Sequence, residues 1–348
     1  MEETDPITPI PADPAARATA AAEAPAATGR DALTSAKRWA TSLLPVIVLA
    51  VLVAVFALRE ARFVSLTNLE VMFTQGGPLL TISLGATLVV LMGSIDLSVG
   101  AIAAVSAAAS AVLIQEHGLG ASGLLVAILV GIAAGGLNAV AVTLMRLPSF
   151  ITTLGTLSVF TGITLHLLSG RAIFVDQLPL TGVANGQLIP HVPNIFLVSV
   201  GAWAVMVFVN RYTRFGRYLT AIGAGEPVAA LSGVPVRKNK ALAFIVSGAF
   251  AGCGGAFLLL NLGSATPSLG DGYLLDSIAA IVIGGTALTG GVGGVPRTLL
   301  GVALLTVLSN GLNVIGVSVF TQEILKGVVV ILAVFVTIDR GRMRNLIK

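Results

Sequence analysis

The chain is poor in charge. Only 10% of its 348 residues are Asp, Glu, Lys or Arg, against roughly 25% in soluble globular domains, so its surface cannot face water throughout. It has one cysteine, Cys253, set inside an apolar run, which excludes a disulfide framework and a cysteine-based metal site. His117, His166 and His191 are far apart in sequence with no HxxH spacing, so no metal site is expected. No GxxxxGK[ST] loop is present, because the glycine-rich stretch Gly290 to Arg297 lacks the Lys-Ser/Thr ending. GxSxG, HExxH and paired catalytic carboxylates are missing as well. A soluble enzyme, a nucleic-acid binder and a secreted disulfide-stapled domain are thereby excluded.

What fills the chain instead is apolar. Hydrophobic residues make up 55%, glycines number 40, and the mean hydropathy is +0.97. This is the composition of an all-α polytopic membrane protein. Residues 1–38 differ: Pro6, Pro9, Pro11, Pro14 and Pro25 interrupt an Ala/Thr-rich stretch, which reads as a disordered cytosolic tail. No short apolar core follows a basic start, so it is not a secretory leader. Residues 39–348 form the membrane domain.

A spanning helix needs about 20 mostly apolar residues. Runs of that kind lie near 42–58, 72–92, 97–115, 122–145, 149–169, 194–210, 241–262, 276–290, 298–316 and 322–338. Ten crossings from a cytosolic start put both termini in the cytosol. The loops then inside hold Arg17, Arg30, Lys37, Arg38, Arg146, Arg211, Arg214, Arg217, Arg237, Lys238, Lys240, Arg297, Arg340, Arg342, Arg344 and Lys348, which is 16 of the 20 basic residues. Only Arg59, Arg62 and Arg171 fall outside, and Lys326 lies within the last run. That imbalance follows the positive-inside rule. Gly131 with Gly135, and Gly248 with Gly252, are GxxxG spacings that let helix backbones approach closely.

Two glycine-broken stretches interrupt the apolar pattern, Gly93 to Gly100 and Gly284 to Gly294. Irregular backbone at membrane depth needs burial in protein or a water-lined cavity. One break in each half is the pattern of a transporter with an internal repeat and a site near its midline. Asp96 is the carboxylate most enclosed by apolar sequence. Three readings stay open for it: a cap or support for the broken helix, a substrate contact, or a gate. Ser94, Ser98, Thr152, Thr153, Asn261 and Thr286 are the other candidates for the substrate path or gate. Asn138, His166 and Asn310 are further polar residues within the runs. Asp271, Asp276 and Glu323 fall at outer ends of spans, where a solvated face is the default, and Glu323 and Lys326 are spaced to pair along one helix.

A carrier driven by protons would show several buried acids, and here Asp96 stands nearly alone. The energy source is therefore expected on another polypeptide, which directs attention to the longest cytosolic connection, 211–240. Glu226-Pro227 suits a helix start, Val228, Ala229, Ala230, Leu231 and Ser232 continue it, and Gly233 suits its stop. Such a short helix is either a docking knob or an ordinary basic loop at the lipid headgroups.

Gly93-Ser94-Ile95-Asp96-Leu97-Ser98-Val99-Gly100 closely resembles the GGIDLSVG signature of permease subunits of bacterial ABC importers for ribose, xylose and arabinose. Phe150 to Thr156, the 213–234 run and Asp276 to Gly294 resemble three further stretches of that family in the same order, together covering about residues 60–338. The resemblance implies a monosaccharide permease of the cytoplasmic (inner) membrane, working as a homodimer or a pair in membrane lipid. It implies an ATP-binding-cassette ATPase subunit that carries ATP and Mg, and a periplasmic or lipid-anchored sugar-binding protein. No cofactor is implied on this chain. Glu226 to Gly233 would be the coupling helix, flanked by Arg214, Gly216 and Arg217. Ser94, where glycine is usual, and Gly225-Glu226, where Gly-Asn is common, depart from the family pattern. The rival readings are an importer of the same family for a furanose autoinducer, a nucleoside or a branched-chain amino acid, and an ion-driven carrier working alone.

Overall fold

The computed structural model of the chain describes residues 29–175 and 180–337. The proline-rich stretch 1–28 and the basic residues from Arg340 onward lie outside the described residues. Each of the ten apolar runs holds a helix: α1 Gly29–Arg59, α2 Leu66–Leu91, α3 Val99–Gln115, α4 Ser122–Thr143, α5 Ser149–Leu168, α7 Asn194–Tyr212, α10 Val236–Leu262, α11 Asp271–Ile283, α12 Val295–Val314 and α13 Val319–Thr337. Three shorter helices lie between them, α6 Thr181–Ala184, α8 Arg214–Ala224 and α9 Glu226–Leu231, with two-residue strands β1 Ile173–Phe174 and β2 Ser264–Ala265. Because α1 begins at Gly29, the boundary read at residue 38 falls inside a helix.

Six of these helices, α2, α4, α5, α7, α10 and α12, are long and apolar enough to cross a membrane. The protein is an all-α, multi-pass membrane protein. The run at 276–290 corresponds to a shorter helix than its apolar length predicts: α11 ends at Ile283 because Gly285 turns the backbone to a φ of 89°.

The core is built on α2, buried without a gap from Gly76 to Leu91. Its starting turn is capped by the Ser65 hydroxyl, which accepts from the Asn68 N–H at 3.2 Å. Helix α7 is almost as apolar yet buries only Ile195, Ser199 and Met206, as expected of a helix whose remaining surface faces lipid. Helices α4 and α10 meet through their GxxxG pairs. A Cβ at Gly131 would run into the Gly248 carbonyl oxygen, and one at Gly248 into that of Gly131. Each motif is the other's partner, so backbone touches backbone.

The connections gather at two ends of the bundle. At one, which we term the β end, Ile173 of β1 pairs with Ala265 of β2, and His191 meets Glu70 at the start of α2. Nearby, Asn68 and Asn310 exchange hydrogen bonds of 2.8 and 3.0 Å. At the other, the α8 end, segments 92–98, 144–149, 213–235 and 284–294 come together, as the contacts below show. Successive long helices therefore alternate in direction.

Candidate functional site

The break between α2 and α3 is held by hydrogen bonds from three other helices. Asp96 is 4% exposed. Its Oδ1 accepts from the Ser98 N–H at 2.9 Å and the Ser98 hydroxyl at 2.6 Å, and its Oδ2 accepts from the Ser247 hydroxyl of α10 at 3.3 Å. Accepting the N–H two residues on makes an Asx turn, so Asp96 shapes the approach to α3, while Ser98 occupies the cap position itself. Asn138 of α4 donates to the Ser98 hydroxyl at 2.8 Å and accepts from Thr156 of α5 at 2.7 Å. The Thr153 hydroxyl takes the Leu97 N–H at 3.0 Å and donates to the Ser149 carbonyl at 2.9 Å. Each bond answers a group that would otherwise be buried without a partner. The arrangement supports the broken helix and engages Asp96, Ser98 and Thr153 in hydrogen bonds within the protein.

The second glycine stretch packs on the first. The Gly291 N–H donates to the Leu91 carbonyl at 2.9 Å. A Cβ at Gly290 would strike the Gly93 nitrogen, and one at Gly223 of α8 would strike both the Leu91 oxygen and the Gly291 nitrogen. Thr286, fully buried, accepts the Gly294 N–H at 2.9 Å and closes the loop on itself. Gly93 of the first break and Gly290 and Gly291 of the second thus all pack against α8, while Asp96 reaches Ser247 eleven residues into α10.

The connection 213–235 is a compact helical knob. The Thr213 hydroxyl caps α8, accepting from the Gly216 N–H at 3.4 Å. Gly216 passes so close to Asn210 that a Cβ there would run into that residue's backbone. Leu219, Ile222 and Ala229 join the core beside Leu88, Leu91 and Phe244. Arg217 reaches the Tyr212 carbonyl at 3.4 Å, and Arg214 is exposed. Helix α9 starts with Pro227 in its first turn. It ends in a Schellman motif: the Val234 N–H reaches the Ala229 carbonyl, and the Gly233 N–H that of Ala230, both at 3.0 Å. Gly233 takes a φ of 80° to do so. Ser232 donates back to the Val228 carbonyl at 2.9 Å. Sequence alone placed this helix and its stop. It missed the clamp from Lys240, whose Nζ lies 2.9 Å from Glu226 Oε2.

Between knob and bundle lies a cavity of about 440 Å³ lined by Ser94, Arg146, Ser149, Glu226, Arg237 and Lys240, among others. Ser94 therefore stands apart from Asp96 and Ser98, opening onto the space beneath α9.

Residues 68–334 match the family described as "Branched-chain amino acid transport system / permease component". The chain belongs to this permease family. It is 34% identical over 307 residues to the ribose import permease protein RbsC of Escherichia coli (strain K12), covering 86% of this chain and 94% of that one. It is equally 34% identical over 306 residues to the RbsC of Bacillus subtilis (strain 168), covering 86% and 92%. The galactose/methyl galactoside import permease protein MglC of Escherichia coli (strain K12) is 33% identical over 313 residues, covering 83% and 91%. No solved structure matches.

Thr152 is buried with its hydroxyl unpartnered, and Asn261 donates to the Thr74 carbonyl at 3.1 Å while its own carbonyl oxygen is buried without a partner. Neither is hydrogen-bonded into the network around Asp96. Lys326 of α13 lies 3.0 Å from Glu323, as their spacing predicts, and also 3.2 Å from Asp276 of α11. That second contact joins residues fifty apart, and nothing in the local pattern announces it.

Proposed function

We propose that this permease is the membrane-spanning subunit of an ATP-binding-cassette importer for a monosaccharide of the ribose, xylose or arabinose kind. The observation that carries the reading is the α8–α9 knob. Val228 and Leu231 of α9 are 68% and 90% exposed, two apolar side chains offered outward on a helix whose other face is tied to the bundle. Nearly full-length likeness to permeases named for ribose and galactose supports the solute class.

In this reading a separate ATPase subunit binds ATP and Mg and grips α9. A displacement of α9 passes through Gly223 to Leu91 and Gly291, where backbone bears on backbone and close packing transmits strain. Both glycine breaks then move with the knob, and the permease alternates between outward- and inward-open states as the partner's nucleotide cycle biases them. The concentration of basic residues in the connections of the α8 end supports a cytosolic position for that end. Both termini are then cytosolic, and the ten helical runs count as ten crossings of the cytoplasmic membrane. A second copy of the chain completes the path, and a periplasmic or lipid-anchored binding protein delivers the sugar at the β end.

The test is uptake in cells carrying the permease with its ATPase partner. Ala230→Asp abolishes ribose uptake and substrate-stimulated ATP hydrolysis while membrane levels stay normal. Normal uptake by that variant would sink the coupling assignment. The family description favours a second reading, import of a branched-chain amino acid. Competition separates the two: excess ribose suppresses uptake of labelled ribose, whereas suppression by leucine would favour the second.

A further inference from the structure

We propose that segment 263–270, the first turns of α11 and Lys326 of α13 form a wall of the solute path, where Ser268, Asp271, Asp276 and Lys326 hydrogen-bond a polyhydroxylated solute in transit. The proposal rests on the importer reading above.

The depth of this wall follows from its backbone contacts. Helix α10 ends at Leu262, and Gly263, at a φ of 65°, turns the chain back. By Gly270 it has descended along α3, where a Cβ would strike the Gly100 carbonyl oxygen and come within 3.1 Å of Ala104. Ala104 is eleven residues, about 16 Å, from the end of α3 at Gln115. Helix α11 therefore starts inside the bundle, which is why it has only 13 residues. At its other end the Ala280 carbonyl lies against Gly301, thirteen residues or about 20 Å from the β end of α12. Asp276 sits one turn nearer the β end than Ala280. Lys326 lies seven residues, about 10 Å, into α13.

At this depth the surface is open, with polar groups set beside the exposed Leu275 and Ile324. Ser268, Asp271 and Gly272 are exposed. Asp276 keeps 21% of its side chain accessible, Lys326 15% and Glu323 52%. Facing lipid, each charge would cost about 2.5–3.5 kcal/mol, and the irregular 263–270 backbone is tolerated only beside protein or water. A water-filled path removes both costs. The chemistry also suits a neutral polyol: Asp271 and Asp276 accept from hydroxyls, the Lys326 ammonium donates, and the Ser268 hydroxyl does either. One cation among three carboxylates (Asp271, Asp276, Glu323) leaves acceptors to spare, as donor-rich sugar hydroxyls require.

The single cysteine makes the test direct. In a Cys253→Ala permease expressed with its partners, Ser268→Cys and Asp271→Cys are reacted with a charged, membrane-impermeant thiol reagent beside Leu332→Cys, on an exposed apolar face of α13. Both react at least tenfold faster than Leu332→Cys, and ribose slows them. Rates no faster than that control, in cells that take up ribose, overturn the wall and leave the sugar reading standing. So does fast reaction that ribose leaves unchanged in such cells. Fast reaction where the Cys253→Ala parent itself takes up no ribose keeps the wall and overturns the sugar reading. Asp276→Asn supplies a second readout: the KM for ribose rises at least tenfold with the melting temperature retained, whereas a lowered melting temperature with unchanged KM makes the residue structural and overturns its role.

Discussion

Two irregular segments of this permease do opposite things with their carboxylates. Segment 92–98, rich in signature residues, buries Asp96 and gives both its oxygens protein donors. Segment 263–276 leaves Asp271 exposed and holds Asp276 against a lysine on another helix. A carboxylate wrapped in apolar sequence is therefore the one locked into the framework. The polar surface available to a solute comes from a stretch whose composition looks like an ordinary outer loop. The difference is in burial: Asp96 is held among protein donors, whereas Asp271 is exposed.

Substitutions can break this contrast, beginning with the largest effect. Asp96→Ala removes the acceptor of three donors and leaves them buried, a loss of about 3 kcal/mol or more, so the purified permease melts well below the parent or does not accumulate. Asp276→Asn keeps a hydrogen-bonding side chain and shifts the melting temperature little, so similar melting of the two variants would erase the distinction. Gly248→Leu drives a side chain into the Gly131 backbone and costs about 1–3 kcal/mol by overpacking, read as lowered thermal stability in detergent. Gly233→Ala asks a Cβ to adopt a φ of 80° at a cost of about 1 kcal/mol. It loosens α9 and lowers ATP-coupled uptake more than it lowers the melting temperature. Glu226→Gln releases an exposed pair with Lys240 and costs below about 1 kcal/mol, so its melting curve overlays the parent's.

The parts legible in the sequence were those written in short stretches. Every apolar run holds a helix, the α9 start and stop follow from Pro227 and Gly233, and the two GxxxG spacings marked the α4–α10 contact before their pairing was known. The site was harder to read. Ser94, Asp96 and Ser98 are neighbours in sequence, yet Ser94 opens toward the α9 cavity while the other two face inward, because the chain turns between them. Thr286 is a loop clasp, which no pattern of threonine and glycine distinguishes from a path residue. Asp276 reads in the sequence as a solvated outer end, because apolar length sets where a helix fits and says nothing of where it starts. Its partner Lys326 lies on a helix that only folding brings near.

The interlocked glycines of α4 and α10 also limit how the molecule can move. A slip of one helical turn would set Phe244 or Ala256 where a glycine now passes, and side chains would meet a carbonyl oxygen. The pair has one permitted register and travels as a rigid body. Conformational change must then be borne by the elements packed around this pair.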